Sequence, residues 1–269
     1  MSPRRDGLAG ALLDLQDLTE RLRRDCPWDR EQTPRTIVPH TVEEAYEVAD
    51  AALADDERKL LGELGDLLFQ VYFLALLLAE KGHGDLETVA RSAHEKLVAR
   101  HPHVFGDVEA RTAERVRENW DRLKTEQEGR EGIFHDVPES LPALLHARKV
   151  QRRAAAIGFE YPDTAGALND LEDELAELRA ELQNAGEPSP EHPPDARQAE
   201  ELGDLLFATV NVARRLNADP ELELRQATHR FVSRVEHAAA LAKKEGRSFA
   251  ELELGEQDRL FDLAKAAGD

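Results

Sequence analysis

A seven-residue segment occurs twice in this chain without a change. Glu63–Phe69 reads ELGDLLF, and the same letters return at Glu201–Phe207, 138 residues later. Three shorter matches keep the same order along the chain: Glu44 and Glu47 with Glu174 and Glu177, Lys96 and Arg100 with Arg230 and Arg234, and Trp120 and Lys124 with Phe261 and Lys265. A repeat of this length is too long for a solenoid, so each copy is expected to be a domain with its own core.

The repeat sets the domain boundaries that we predict. An N-terminal helical domain occupies 1–128, a linker occupies 129–140, and a C-terminal helical domain occupies 141–269. The linker begins in the polar stretch Glu126–Arg130, and Pro138 and Pro142 flank a short apolar piece at its end. A second break at 185–196 contains four prolines and has no counterpart in the first copy, so it is predicted to be a surface loop.

Apolar residues spaced three and four apart predict helices over most of the remaining chain. Alternating β-branched residues are almost absent, and aromatic residues make up only 5% of the chain. We therefore predict an all-α fold, a tandem duplication of a four- to five-helix bundle. The predicted helices are Asp6–Arg23, Val42–Ala54, Arg58–Lys81, Leu86–Arg100, Thr112–Glu128, Thr164–Asn184, Ala196–Leu216, Leu222–Glu245 and Glu256–Ala267.

Charge and cysteine content exclude several classes of protein. The 55 acidic and 35 basic residues give a net charge of −20, which argues against a nucleic-acid partner. Cys26 is the only cysteine, so neither an intrachain disulfide nor a cysteine zinc site can form. The longest apolar run, Leu67–Ala79, is too short to span a membrane and is predicted to be a buried core helix. No signal peptide is recognisable, so we expect a cytoplasmic protein without a membrane partner.

The acidic residues of the repeat are the candidate functional groups. Glu44 and Glu47 are three residues apart and therefore share a helix face, as do Glu63 and Asp66 on the next predicted helix. A short turn makes these helices antiparallel neighbours, which gathers the carboxylates across one groove. Such a cluster repels itself unless a cation occupies it, and oxygen-only ligands favour Mg²⁺ or Mn²⁺. Gly62 and Gly65 keep this face low, so that the helices can approach or a ligand can enter.

Two alternatives compete with a metal site. The acids could belong to ordinary solvated helix faces in an acidic chain. However, leucines surround Glu63 and Asp66, which places these acids at the edge of a core, and the pairs occur in both copies. A ferritin-like di-iron bundle needs a histidine three residues after a glutamate, and these segments contain no such pair.

The order EExxE, spacer, ExxD resembles the MazG nucleoside triphosphate pyrophosphohydrolases of the all-α NTP pyrophosphatase superfamily. The first copy has Glu43 and Glu44 ahead of Glu47, and the second has Asp173 in place of the first glutamate. Other stretches resemble the same family: CPWD at Cys26–Asp29, RHPHVFG at Arg100–Gly106, and LLFATVNVAR at Leu205–Arg214. The resemblance covers nearly the whole chain, including the tandem arrangement.

This resemblance implies a role for each matching residue. The metal ligands would be Glu44, Glu47, Glu63 and Asp66 in the first copy and Glu174, Glu177, Glu201 and Asp204 in the second. The substrate-binding residues would be Lys96, Arg100, Trp120, Lys124, Arg197, Arg230, Arg234, Phe261 and Lys265. Glu43 and Asp173 are the candidates for the base that accepts a proton from the attacking water.

The activity implied by the resemblance is Mg²⁺-dependent hydrolysis of ribo- or deoxyribonucleoside triphosphates to nucleoside monophosphate and pyrophosphate, with Mn²⁺ as a substitute metal. The partners would be nucleoside triphosphates and a second copy of the chain in a homodimer. The alternative is a non-catalytic helical scaffold or nucleotide sensor with structural metal sites. The basic pairs beside the acids favour the enzyme, because a scaffold does not need them.

Overall fold

The structure is a computed structural model that describes residues 3–106, 112, 116, 132–135, 137–185 and 193–268. These residues form eleven α-helices and one 3₁₀ helix and contain no strand, which confirms the all-α prediction. The chain divides into two compact units, Met1–Arg130 and Glu131–Asp269. The helices are α1 (Pro3–Asp25), α2 (Pro27–Glu31), α3 (Pro34–Leu53), α4 (Glu57–Glu80), α5 (Leu86–Arg100), α6 (Pro102–Phe105), α7 (Ala143–Ala156), α8 (Thr164–Ala185), α9 (Ala196–Arg215), α10 (Pro220–Lys244) and α11 (Leu254–Gly268), and the 3₁₀ helix is Phe249–Glu251.

Side-chain caps fix where several of these helices begin. Asp56 accepts a hydrogen bond from the Lys59 amide at 2.9 Å, and Asp85 accepts one from the Thr88 amide at 2.8 Å. In the sequence, each aspartate can be recognised as a helix cap because apolar residues at helical spacing begin directly after it. The predicted starts of α4 and α5 therefore agree with the structure to within one residue.

Helix α3 begins eight residues earlier than its predicted start at Val42. Thr33 and Thr36 form a reciprocal capping box, and Pro34 occupies the first helical position, where its missing N–H costs nothing. Pro39 lies inside the helix, which is the reason that the apolar pattern alone predicts a later start. Helices α2, α6 and α7 were not predicted, and each directly follows or begins with a proline.

Helix α4 shows the largest difference from the sequence prediction. Its segment Leu67–Ala79 was expected to be a buried core helix, but only one face is buried, with Phe73 and Leu77 packing against Ile37 of α3. Within that segment Leu68 is 37% exposed, and Val71 and Leu78 are each 39% exposed. Leu61, ahead of the segment, is 75% exposed. Among the described residues α4 is also the one helix long and apolar enough to cross a membrane by length and composition, a test that core helices of soluble proteins pass as well.

An ion pair joins the first two helices of the first unit to the end of α4. Arg23, in the last turn of α1, donates to Glu80 of α4 from Nε at 2.7 Å and from Nη2 at 2.9 Å. Its Nη1 donates to the backbone carbonyls of Asp29 and Gln32, and its guanidinium lies 6.0 Å from the centre of the Phe73 ring. One side chain thus holds α1, the α2 segment and α4 together.

The second unit has its own core where α10 packs on α11. Ala238 and Ala242 of α10 are fully buried against Leu260 and Ala264 of α11. Small alanines on both helices allow their axes to approach closely. Elsewhere in this unit, Arg148 of α7 donates to Asp219, the residue that caps the start of α10.

Five helices end in a residue with positive φ, followed by a backbone amide that bonds back to the last turn. These residues are Asp55 after α3, Gly82 after α4, Gly158 after α7, Asn217 after α9 and Gly246 after α10. Glycine, and less readily asparagine and aspartate, adopts this conformation at low cost, so it ends helices in this way. Gly82 and Asn217 follow equivalent helices of the two copies, and the same helix end is therefore repeated.

Some sequence predictions fall outside the described residues. The fifth predicted helix, Thr112–Glu128, lies there except for residues 112 and 116, and so do the candidate substrate residues Trp120 and Lys124. Part of the predicted linker and positions 186–192 of the predicted proline loop also lie outside. The predicted domain boundaries and these roles remain predictions.

Candidate metal centres

The first cluster of acids forms where α3 and α4 face each other. One carboxylate oxygen each from Glu44, Glu63 and Asp66 lies within 4.8 Å of the other two. Glu47 also lies close to this cluster, since its carboxyl group raises the pKa of both Glu44 and Glu63. The acids of α3 therefore face those of α4, as expected of neighbouring antiparallel helices. The structure therefore brings together all four acids predicted in the first copy.

These carboxyl groups disfavour one another's ionised form. The pKa of Glu44 is raised, first by desolvation and then by the negative charges of Asp66, Glu47 and Glu63. The pKa of Glu63 is also raised, first by desolvation and then by its interaction with Glu47. A bound cation would offset the repulsion between these crowded carboxylates.

The second cluster repeats this arrangement between α8 and α9. Carboxylate oxygens of Glu174, Glu177 and Glu201 lie within 4.8 Å of one another. Desolvation followed by the charge of Asp204 raises the pKa of Glu174, and desolvation followed by Glu177 raises that of Glu201. Asp204 is thus close enough to act on both glutamates, and the four acids predicted in the second copy also come together.

The donor set and its spacing fit a hard divalent cation. Magnesium holds oxygen ligands at about 2.1 Å in an octahedron, so neighbouring ligand oxygens are about 3.0 Å apart and opposite ones about 4.2 Å apart. The oxygens of each cluster lie within 4.8 Å of one another, so rotations of the side chains would bring them onto one ion. The described residues of each cluster offer only oxygen ligands, which is unfavourable for zinc and suits Mg²⁺ or Mn²⁺.

The two candidate bases lie beside the clusters in different surroundings. Glu43 is exposed and its Oε2 lies 3.1 Å from Nδ1 of His40, one turn earlier on α3. The His40 ring meets Trp28 of the CPWD segment edge-on, with ring centres 5.9 Å apart. Asp173 is exposed on α8. The shorter Asp173 side chain reaches less far than Glu43 does.

The predicted basic residues occupy varied positions. Lys96 is exposed on α5, whereas Arg100, at the end of the same helix, is only 7% exposed and has a buried Nε. In the second unit Arg230 and Lys265 are exposed and Arg234 is partly buried. Arg197 is exposed and lies 3.9 Å from Glu181. The Phe261 ring is 5.7 Å from that of Phe231, so this aromatic candidate lies in a small ring cluster.

Known proteins are similar to this chain over almost its whole length. The family model described as the MazG nucleotide pyrophosphohydrolase domain matches residues 32–105. A nucleoside triphosphate pyrophosphohydrolase of Escherichia coli K12 is 37% identical over 257 residues, covering 93% of this chain and 95% of the relative. This chain belongs to the MazG family. A Thermotoga maritima relative, named nucleoside triphosphate pyrophosphohydrolase/pyrophosphatase MazG, is 36% identical over 267 residues, covering 97% and 98% of the two chains.

The matched MazG domain contains the first acid cluster. Residues 32–105 run from the cap of α3 to the end of α6, so they include Glu44, Glu47, Glu63 and Asp66 and the basic pair of α5. The family resemblance deduced from the EExxE and ExxD spacing is thereby confirmed. The second copy lies outside the matched residues and shares the ELGDLLF segment with the first.

Sequence reasoning missed a second group of residues beside the acids of the second unit. Tyr161 donates its hydroxyl hydrogen to Asp170 at 2.6 Å, and this bond is the main reason that the pKa of Tyr161 rises to about 12. Asp170 lies four residues before Glu174, as His40 lies four residues before Glu44. An aromatic residue contacts each of them, so aligning the two copies was the signal that could have found this pair.

Proposed function

We propose that this MazG-family chain hydrolyses nucleoside triphosphates to nucleoside monophosphates and pyrophosphate. The observation that carries the proposal is the duplicated four-acid cluster between paired helices, in a chain that matches relatives with this activity in their names over nearly its full length. A cluster that crowds four carboxylates costs stability unless it holds a cation. Such a site is suited to a substrate that carries its own negative charge and arrives with a divalent metal.

We propose Mg²⁺ as the bound metal, with Mn²⁺ as a substitute. Glu44, Glu47, Glu63 and Asp66 would hold it in the first unit, and Glu174, Glu177, Glu201 and Asp204 in the second. When bound, the metal neutralises phosphate charge and lowers the pKa of a coordinated water. Among the described residues, neither cluster includes a cysteine or histidine, the ligands that a softer ion prefers.

The remaining steps belong to side chains of the protein. Glu43 or Asp173 accepts the proton of the water that attacks the α-phosphorus, and the bond from that phosphorus to the bridging oxygen breaks to release pyrophosphate. His40 holds Glu43 through its Nδ1 contact at 3.1 Å and so orients that carboxylate. Lys96 and Arg100, or Arg230 and Arg234, would steady the leaving pyrophosphate, with Lys124, Arg197, Lys265, Trp120 and Phe261 completing the substrate sites.

The chain is also proposed to form a homodimer and to act in the cytoplasm. Leu61, Leu64 and Leu68 of α4 form one exposed apolar stripe, and Leu202 and Leu206 of α9 are exposed at equivalent positions of the second copy. An exposed stripe of this kind is typical of a surface that another protein covers. In a two-fold dimer the same patch of each subunit forms the interface, so one exposed stripe per chain is sufficient.

Pyrophosphate release tests the enzymatic proposal. Wild-type protein is incubated with a panel of ribo- and deoxyribonucleoside triphosphates and Mg²⁺ or Mn²⁺, beside the double variants Glu44→Ala/Glu47→Ala and Glu174→Ala/Glu177→Ala. Loss of metal-binding acids should slow the reaction by about 10²–10⁴ in the unit that turns over. Asp14→Ala/Asp17→Ala, which removes two exposed acids with the same spacing on α1, is the control and should keep full activity. A wild-type protein inert on every nucleotide with both metals would leave the scaffold or sensor alternative.

A further inference from the structure

The second unit contains a cavity of about 630 Å³ beside its acid cluster. Residues of α7, α8 and α9 and of the turn after α7 line it, and Glu174 belongs to both the cavity wall and the acid cluster. A volume of this size is in the range of small-molecule sites. The cavity therefore continues directly from the place where a metal-bound triphosphate would lie.

Phenyl rings form much of the cavity wall. Phe134, Phe159 and Phe207 all line it, and Phe159 is 82% exposed. Gly158 has a φ of +88°, and the Phe159 amide bonds back to the Ala154 carbonyl at 3.1 Å, so the end of α7 fixes the backbone that carries this ring. Exposed aromatic rings in a cavity wall favour a flat heteroaromatic ligand, because such a ligand can stack against them.

The charges at the cavity exclude a phosphate group as the occupant. Arg214 lies on the wall, but Glu160 neutralises it at 2.6 Å, and its Nη2 also donates to Asn211 at 2.7 Å. Asp170 and Glu174 add two further carboxyl groups to the wall. An anion would meet a net negative surface here, whereas an uncharged ring would not.

Two amide side chains provide hydrogen-bonding groups. Asn211 accepts from Arg214 through Oδ1, and its Nδ2 has no acceptor among the described residues. Gln151 is 6% exposed and donates to the Phe207 carbonyl at 2.8 Å, while its Oε1 is buried with no partner among them. A ring that carries both a donor and an acceptor on its edge would pair with these groups.

We infer that this cavity binds the nucleobase of the triphosphate whose phosphates are held at the Glu174 cluster. The inference rests on the proposed function and adds to it a place for the base. Phe159 contacts the face of the base, and Asn211 reads its edge. The Tyr161–Asp170 hydrogen bond holds together two residues of the same cavity wall, and Asp170 lies one turn of α8 before Glu174.

The test measures binding, so that it does not depend on turnover. All variants carry Glu44→Ala/Glu47→Ala in the full chain, which leaves only the second unit to bind Mg²⁺ and nucleotide. The probes are α,β-methylene analogues of ATP, GTP, CTP and UTP, which resist cleavage at the proposed bond, and inorganic triphosphate, which has no base. Phe159→Ala is compared with Ile157→Ala, a residue that is 60% exposed, two positions earlier and outside the cavity wall.

Phe159→Ala should weaken binding of the nucleotide analogues by about ten-fold, the usual scale for losing one aromatic contact with a base, and leave the affinity for inorganic triphosphate unchanged. Ile157→Ala should change neither affinity. Asn211→Leu should reduce the differences in affinity among the four analogues. Equal affinities of wild type and Phe159→Ala for every analogue, an equal loss for inorganic triphosphate, or no nucleotide binding at all would overturn the inference.

Binding and turnover then give separate answers. Base-dependent binding that is lost in Phe159→Ala, in a wild-type protein that releases no pyrophosphate, supports the base site and rejects the proposed activity. Normal pyrophosphate release with no effect of Phe159→Ala on analogue binding supports the activity and rejects the base site.

Discussion

Arg23 donates two parallel hydrogen bonds to Glu80, from Nε at 2.7 Å and from Nη2 at 2.9 Å. The same guanidinium donates to two backbone carbonyls of the segment after α1, so a single arginine closes the first unit at one end. Because the guanidinium is only 19% exposed, this pair is better protected from solvent than an ordinary surface pair, although Glu80 itself is 41% exposed.

Glu80→Gln should lower the free energy of unfolding at pH 7 by about 0.5–1 kcal/mol. The hydrogen bond from Arg23 holds the pKa of Glu80 below its usual value of 4.5. A depressed pKa in the folded state means that the stabilisation is present at neutral pH and is lost as the pH falls below 4.5 through the folded pKa. Urea unfolding of both proteins at pH 7 and pH 3 measures the difference, which should be smaller at the lower pH. Glu87→Gln, in a pair exposed by about 70%, is the control and should change little.

Glu44→Gln should stabilise the metal-free protein and weaken its response to Mg²⁺. The variant keeps the shape of the side chain and removes one of the crowded negative charges that raise the pKa of Glu44. In the presence of a chelator we expect Tm to rise by about 2 °C, a small effect because the group is largely solvated. In excess Mg²⁺ the wild type should gain more than the variant, since ligand binding stabilises in proportion to RT ln(1 + [L]/Kd).

Thermal melts with and without Mg²⁺ measure both effects. Asp14→Asn, an exposed acid on α1, should leave the Mg²⁺-dependent rise in Tm unchanged. An equal rise in Tm for wild type and Glu44→Gln would show that Glu44 does not hold the ion.

Gly82→Ala and Gly10→Ala should have opposite effects on stability. Gly82 has a φ of +70°, which costs an alanine about 1–2 kcal/mol, so its substitution should destabilise the first unit. Gly10 lies inside α1 with nothing within 4 Å of an added Cβ, so alanine there should stabilise by about 0.5–1 kcal/mol. Chemical denaturation of the two variants beside wild type distinguishes them, and the same sign for both would contradict the assigned helix end.

Leu61→Arg should convert the proposed homodimer into monomers. Leu61 is 75% exposed on the apolar stripe of α4, and a charge buried there without a partner would weaken any interface that covers it. Sedimentation equilibrium over a range of concentrations gives the mass. Leu254→Arg, at a position 70% exposed at the start of α11, serves as the matched control. A wild-type protein that is monomeric at all concentrations would reject the homodimer.

The acid clusters could be predicted from sequence because helix geometry alone determines them. Acids three residues apart lie on one face, and a turn of a few residues between Leu53 and Glu57 forces the two faces together. The glycines beside Glu63 were expected to let helices approach or to admit a ligand. Nothing lies within 4 Å of an added Cβ at Gly62 or Gly65, so close helix packing within the described protomer is not their role.

The cavity of the second unit was not predictable in the same way. Its walls come from residues far apart in the sequence, such as Phe159 and Phe207, and from α7, a helix that was not predicted. The exposed face of α4 was missed for a related reason. A continuous apolar run predicts that a helix is covered on all sides, but it does not identify the surface that covers it.

The two acid clusters are connected by segments of different length. Three residues join α3 to α4, whereas ten join α8 to α9. The longer connection raises the entropic cost of bringing the second pair of helices together by about 1 kcal/mol. A longer connection constrains the distance between α8 and α9 less tightly, so an insertion there should leave Glu174 and Glu201 in place. For protein engineering, that segment is the natural position to insert a reporter or to open a circular permutant, while the first pair offers no such point of entry.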